Sequence, residues 1–448
     1  MKAKVSLIYA DNHFQTVSDF PPLGGLYITS FLKEKGIDAH YYDFTIINNW
    51  KKKIHEIIDS DPEVIGLSST VSNFSNTNYL ARYIKSFNRD IKIIVGGPYP
   101  TCVPEKYLIN KAIDAVCIGE GEYTLYKYLT EGDKTNGLMV RRNSRFFLTE
   151  PAPKIENLDD LPFPDLTQVD LRKYHYIFKR GKPLSAIITS RGCPYNCTFC
   201  FHEVHGYKWR ARSPKNVIEE IKWQVNELGV GEIGFWDDNL TLDQKRAEKI
   251  FDLMIQEKLG ISMSVPNGIR VDNVNKNLLS KMKKAGFWVI MLAPETGDPY
   301  IIKKIQKGFT LKQTLRVARW CKELGFFLCI LLMMGFPFET TENMQNTLDF
   351  IKLLKPDIFN INRFYPFPKT PIVKEYNLKT IENYVYRTNK MTKESEKLLS
   401  SAYLHFFSNP HNLKNIIKKV GMYSFCYSLF KLFKASIHNR LKNFDYFK

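Results

Sequence analysis

The sequence predicts an α/β protein: an N-terminal Rossmann-like, flavodoxin-like parallel sheet, then a partial (β/α)6 TIM-type barrel, then a helical C-terminal tail. Three observations predict it. Short β-branched runs alternate with longer amphipathic stretches up to about residue 131, a proline-punctuated interval interrupts them, and six apolar runs resume the alternation from residue 184. The expected segments are therefore 1–131, a linker over 132–183, a barrel over 184–372 and a basic amphipathic helical region over 373–448.

In the first segment the strand-like runs are 5–9, 38–43, 64–69, 92–95 and 115–118. Five βα units imply an open parallel sheet, which binds ligands at the carboxyl ends of its strands. Those ends read Ser68-Ser69-Thr70, Gly96-Gly97-Pro98 and Gly119-Glu120-Gly121-Glu122. Glycines let a backbone approach a bulky ligand, and the hydroxyls can bond a buried polar tail; the same residues also suit ordinary turns. The interval that follows carries Gly132-Asp133-Lys134, Asn136-Gly137 and Leu158-Asp159-Asp160-Leu161-Pro162-Phe163-Pro164, the composition of a linker that packs.

The barrel runs are 184–190, 232–236, 261–265, 288–293, 327–334 and 357–361, and a barrel of this kind keeps its working groups at the C-terminal ends of its strands. The first run empties into Arg191-Gly192-Cys193-Pro194-Tyr195-Asn196-Cys197-Thr198-Phe199-Cys200. Three thiolates so spaced favour zinc or an iron–sulfur cluster; zinc would need a fourth ligand, for which His202 and His205 are the near candidates. Later strands end in Asp237-Asp238-Asn239, in Asn267-Gly268-Ile269-Arg270-Val271-Asp272 and in Pro294-Glu295-Thr296-Gly297. The last two end in Gly335-Phe336-Pro337-Phe338-Glu339-Thr340 and Tyr365-Pro366-Phe367-Pro368-Lys369-Thr370-Pro371.

With 448 residues, 44% hydrophobic and 25% charged, the chain has a globular composition. Its net charge of +18 favours anionic partners. Eight cysteines, three of them clustered, are no disulfide framework, and Met1-Lys2-Ala3-Lys4-Val5 opens a strand, which together point to a reducing cytoplasm. The longest apolar run, 326–338, falls short of the ~20 residues a spanning helix needs. Residues 414–448 hold eight Lys or Arg against Asp445, with apolar residues at helical spacing. Such a helix can lie on an anionic membrane or fold onto its own barrel. No nucleic-acid signature is present and none is expected as a partner.

The C-x3-C-x2-C pattern with Phe199 before its last cysteine resembles the signature of the radical S-adenosylmethionine (SAM) superfamily. The resemblance implies a [4Fe–4S] cluster on Cys193, Cys197 and Cys200, with SAM on the fourth iron. It places Asp237 and Asp238 where the superfamily often has Gly-Gly-Glu to receive the SAM ammonium, Arg270 against the SAM carboxylate as a charged donor, and Glu295 against ribose or amine donors. The first segment resembles the cobalamin domain of the B12-binding class, in Pro21-Pro22-Leu23-Gly24-Gly25-Leu26, Gly36, Asp43, Ser68, Ser69, Thr70, Gly96, Gly97, Gly119, Glu120 and Gly121. The mutase-type motif Asp-x-His-x-x-Gly is only grazed by Asp11-Asn12-His13-Phe14-Gln15-Thr16, so cobalamin is expected without a protein imidazole on cobalt.

These resemblances imply a cobalamin-dependent radical SAM enzyme that methylates an unactivated carbon of a lipid or specialised metabolite. A small-molecule or lipid substrate and an electron donor such as flavodoxin or ferredoxin are the implied partners. Ring closure, oxidation or rearrangement without methyl transfer is the competing reading, and a non-catalytic cobalamin sensor is a third. The chain is expected in the cytoplasm, with peripheral membrane contact through its C-terminal region left open.

Overall fold

The computed structural model of the chain describes residues 4–10, 19–143, 145–176, 178–379 and 393–422. By internal packing these fall into two units. The first runs to Tyr176 and takes in His202–Arg210; the second comprises Ile177–Phe201 and the described chain from Ala211 onward.

In the first unit a seven-stranded sheet has the order β2-β1-β3-β4-β5-β6-β7. Its parallel part is β1 (Lys4–Tyr9), β2 (Asp38–Asp43), β3 (Val64–Ser68), β4 (Lys92–Gly96) and β5 (Ala115–Cys117). These are the five expected runs, in the flavodoxin-like order with its switch point between β1 and β3. Central strands β1 and β3 are buried almost throughout because helices cover both faces, which is why they read as continuous apolar runs.

The sheet continues where the sequence reads as linker. Antiparallel β6 (Leu138–Arg142) pairs with β5, and β7 (Arg145–Leu148) forms an edge exposed along its whole length. Beyond it Ile155, Leu158 and Leu161 bury against Phe31, so the proline-rich stretch does pack. Farther on, Gln168 accepts from the Tyr41 amide at 2.7 Å and Tyr174 donates to Asp43 at 2.7 Å, covering the β2 edge.

The second unit holds β8 (Leu184–Ile187), the two-residue strand β9 (Ser190–Arg191), and, after the two-residue strand β10 (Arg210–Ala211) that straddles the unit boundary, β11 (Glu232–Phe235), β12 (Ser262–Ser264), β13 (Val289–Glu295), β14 (Phe327–Met334) and β15 (Ile358–Arg363). Parallel pairing gives β12-β11-β8 and β13-β14-β15, and single bridges Met263↔Phe287 and Ile269↔Leu292 join the two sets. Spatial order follows chain order, as in a partial six-stranded barrel. Helices return between strands from side-chain caps: Ser213, Asp243, Asn275 and, with full capping boxes, Thr310 and Thr340.

At the N-terminal ends of the barrel strands, buried Glu232 accepts from Trp288 Nε1 at 3.1 Å and from the Arg180 and Gly181 amides. The β15 edge is capped by the Tyr403 hydroxyl, which accepts from the Ile361 amide at 2.9 Å. Tyr403 belongs to the helix Lys393–Ser408, and a second helix, Pro410–Val420, places Lys419 on Asp357 at 2.8 Å. This part of the basic C-terminal region thus folds onto its own barrel; most of residues 414–448 lie outside the described residues. Among the described residues no helix is long and apolar enough to cross a membrane.

Candidate active site

The cysteine loop leaves β8 and β9 and is fixed at both sides of Cys197. The Thr198 amide donates to Ile305 O at 3.1 Å, the Ile372 amide donates to Thr198 O at 3.0 Å, and the Cys200 amide turns back on Cys197 O at 3.1 Å. Phe199 drives into an apolar cluster of Ile301, Ile305, Phe336, Phe364 and Ile372. Phe338 stacks on Phe336 and joins that cluster. Phe199 therefore anchors the loop from behind.

Cys197 is buried, and Cys193 and Cys200 are half-buried. Burial pushes the Cys200 thiol up to about 12, and the neighbouring Cys197 and Cys193 raise it further while Lys307 opposes them. Cys193 is likewise raised by burial, with Asp238 and Cys197 adding and Arg270 opposing. Three thiols that close, shielded from water, ionise together only against a cation, and soft sulfur donors suit iron–sulfur chemistry.

The two histidines that could close a zinc shell are engaged in the first unit: His205 Nδ1 lies 3.1 Å from Glu120, and the His202 ring stacks on Tyr207. Among the described residues no three His, Cys, Asp or Glu side chains converge on a single ion, and a four-iron cube asks for no such convergence because each thiolate serves a different iron. The residues present fit a cluster with one iron left open.

The other candidates divide. Asp237, 3% exposed, is saturated: Thr189 gives it its amide and hydroxyl, and Ser190 its hydroxyl at 2.6 Å. Burial raises its pKa against these donors. Its neighbour Asp238 is exposed, and its carboxylate accepts from the Gly192 amide at 2.8 Å at the mouth of the cysteine loop. Asp237 thus holds the end of β8 to β11, while Asp238 faces the thiols.

Arg270 forms a two-point pair with Asp272 at 3.1 and 2.9 Å, donates to Lys307 O at 2.5 Å and lies over the Tyr195 ring at 3.4 Å. Its remaining terminal nitrogen is 3.9 Å from Cys197 Sγ. Burial works against its charge, but Asp272 outweighs burial and holds its pKa above the ordinary value. Glu295, at φ +67°, projects from the end of β13 and accepts from Lys307 Nζ at 3.0 Å. Lys307, not anticipated from the sequence, is 7% exposed and also sits 5.5 Å from the Phe199 ring centroid. Its only mark in the sequence is Lys307-Gly308 ahead of the Thr310 cap. The site so gathers two cations, Arg270 and Lys307, and three carboxylates, Asp238, Asp272 and Glu295, beside three thiols.

In the first unit the turns after β3, β4 and β5 come together at one sheet edge. The Ser69 amide donates to Gly96 O at 2.8 Å and the Gly119 amide donates to Thr101 Oγ1 at 3.0 Å. Ser68, Thr70, Gly96, Gly97, Gly119 and Gly121 are half-buried along it. Gly97, at φ +112°, would place a Cβ 2.6 Å from Ser69 O, so only glycine closes this turn. Ser69 is buried and bonded to Asn73, Tyr107 and Thr77. Glu120 is buried too, and accepts two bonds from Arg210 (2.8 and 3.0 Å) and one from the Ile155 amide. Ser69 and Glu120 brace the edge, whose remaining residues are small and half-buried, the composition that fits a bulky ligand such as a corrinoid. His13 lies outside the described residues.

A family model described as the Radical SAM superfamily matches residues 187–351, and one described as a B12 binding domain matches residues 14–129. Over 428 residues the chain is 32% identical to a protein of Pyrococcus horikoshii named as an uncharacterized methyltransferase, covering 90% of this chain and 91% of the relative. It is 24% identical to an anaerobic magnesium-protoporphyrin IX monomethyl ester cyclase of Rubrivivax gelatinosus, over 90% of this chain and 76% of that one. Among solved structures, the cobalamin-dependent S-adenosylmethionine radical enzyme OxsB with aqua-cobalamin and S-adenosylmethionine bound gives a TM-score of 0.75 at 18% identity, covering 98% of this chain and 72% of the other, a likeness of fold.

Proposed function

Because the chain belongs to the B12-binding radical SAM family, we propose that it is a methyltransferase acting on an unactivated carbon of a small molecule or lipid. It is a cobalamin-dependent radical SAM enzyme with a [4Fe–4S] cluster, SAM and cobalamin as cofactors. The observation that carries methyl transfer is the 32% identity, end to end, to a relative named as a methyltransferase. When bound, these groups supply a reductively generated 5′-deoxyadenosyl radical and a transferable methyl group.

The chain's own residues supply position and charge. Cys193, Cys197 and Cys200 hold the cluster. Lys307 pairs with Glu295 and aims its carboxylate, ready to accept from ribose or amine donors of SAM. Arg270, its fork largely taken by Asp272, keeps positive charge beside the Cys197 thiolate and favours an electron-rich cluster. Asp238 lies within reach of an ammonium group, whereas Asp237 fixes the strand ends behind it. The edge of Ser68, Thr70, Gly96, Gly97, Gly119 and Gly121 receives cobalamin. A reductant of flavodoxin or ferredoxin type delivers the electron.

The test is the product ratio. Anaerobically reconstituted enzyme should yield methylated product with 5′-deoxyadenosine and S-adenosylhomocysteine in similar amounts. An unmethylated product with deoxyadenosine alone would establish the second reading, a cyclase or oxidase, which the likeness to the magnesium-protoporphyrin ester cyclase favours.

A further inference from the structure

The second unit contains a cavity of about 730 Å³ that none of the reaction's residues line. Its walls come from the ends of the helices Leu311–Glu323 and Thr341–Leu354, the start of β15 and the two C-terminal helices. Asp357, just ahead of β15, and Lys355, just past the helix before it, place the cavity at the N-terminal ends of the barrel strands. The cysteine loop follows the C-terminal end of β8, on the opposite face.

The lining is divided by chemistry. Leu348, Ile351, Phe359, Leu398 and Phe406 make an apolar interior, large enough for a chain of a dozen or so carbons in a site of ordinary ligand size. Around it stand Lys322, Lys352, Lys355 and Lys419 against one lining carboxylate, Asp357. Lys419 takes that carboxylate at 2.8 Å, and Lys352 pairs outside the cavity with Asp349 at 2.8 Å. Lys322 donates to a carbonyl, Leu354 O at 3.0 Å. Burial lowers the Lys322 pKa, and Lys355 lowers it further, joined by Arg319 and Lys419 against the opposing Asp357, the mark of cations that outnumber the one carboxylate beside them. An anion placed among Lys322, Lys355 and Lys419 would offset that excess, and an apolar tail attached to it would fill the interior.

We propose that this cavity binds an amphipathic anion, a single acyl chain carrying a carboxylate or phosphate head, between the barrel and the C-terminal helices. Lys322 and Lys355 hold the head; Leu348, Phe359 and Phe406 hold the tail. A bound chain would pin the helices Lys393–Ser408 and Pro410–Val420 to the barrel, independently of the reaction at the other face.

The full chain would be titrated with laurate, dodecanol and dodecyltrimethylammonium, read by displacement of a fluorescent fatty acid. Laurate should bind at least about tenfold more tightly than the other two, a difference of about 1.4 kcal/mol. The double variant Lys322→Gln/Lys355→Gln should weaken laurate by a similar factor and leave dodecanol unchanged, and Ala402→Trp, which fills the cavity from the helix side, should abolish both. Equal binding of the three ligands, laurate affinity indifferent to both variants, or no binding at all would each overturn the proposal. Sedimentation with phosphatidylglycerol vesicles, sensitive to Ala402→Trp, would identify the source as bilayer lipid; saturation by laurate without vesicle binding would identify it as free acyl anion.

Discussion

Two adjacent aspartates show how far a residue's role depends on the face of the strand it leaves. Asp237 points into the barrel wall and is spent on Thr189 and Ser190; Asp238, one residue on, is exposed beside Gly192. Removing the Asp237 carboxylate (Asp237→Ala) strands three buried donors and should cost about 3 kcal/mol in urea unfolding, whereas Asp238→Ala should leave stability nearly unchanged. Glu339 makes a pH prediction. Buried and holding the Gly335 and Phe336 amides, its pKa rises from 4.5 to about 7, chiefly through burial. A carboxyl raised in the folded state gives stability that is complete below about 4.5 and lost as pH rises through about 7. Melting temperature should therefore fall across that window, by the equivalent of about 3 kcal/mol at most, and Glu339→Gln should flatten the slope. At Glu295 the expectation is chemical: Glu295→Gln should keep iron content and fold while suppressing 5′-deoxyadenosine formation, and an unchanged rate would remove Glu295 from the SAM site. The sequence marked Glu295, Arg270 and the three thiols by their places after strands. It could not show that Arg270 is committed to Asp272, two residues on, because that depends on the turn of their own loop, or that Lys307 joins the site, because that depends on which loops meet.

Elements were legible where burial is continuous and obscure where it is not. The inner strands of both units, such as β3, β13 and β14, are apolar because both faces are covered, so they announce themselves without alternation, whereas the edge strands β2 and β15 show it. The hairpin of β6 and β7 escaped because β7 is exposed throughout and β6 ends in Arg141 and Arg142; its buried part is only Leu138–Val140, too short to stand out, so the stretch resembles a linker. Turn chemistry at the strand ends was visible as glycine but not as geometry. Gly97→Ala tests that geometry: a Cβ against Ser69 O at positive φ should destabilise the first unit by about 2 kcal/mol or more. Loss of cobalamin binding should accompany it, measured on protein that still holds its iron–sulfur cluster.

At the scale of the molecule, what the sequence hid is the path of the chain. It leaves the first unit after Tyr176, runs through β8 and the cysteine loop in the second, returns to the first for His202–Arg210 and goes back again. The return is secured by Arg210, 4% exposed, whose guanidinium meets Glu120 and the Ile155 and His205 carbonyls. Arg210→Met takes the guanidinium away from buried Glu120, leaving it the Ile155 amide and His205, and should cost about 3–5 kcal/mol, seen as early melting of the first unit in hydrogen exchange. The same path bears on modularity. Domains strung end to end can be expressed apart, exchanged between relatives or released by a protease that nicks the connecting segment. Here no single cut yields two intact pieces, since a break at 131 or at 176 strips the first unit of nine residues that belong to its fold. Any chimera that swaps one cofactor module for another must therefore carry His202–Arg210 with the B12 half.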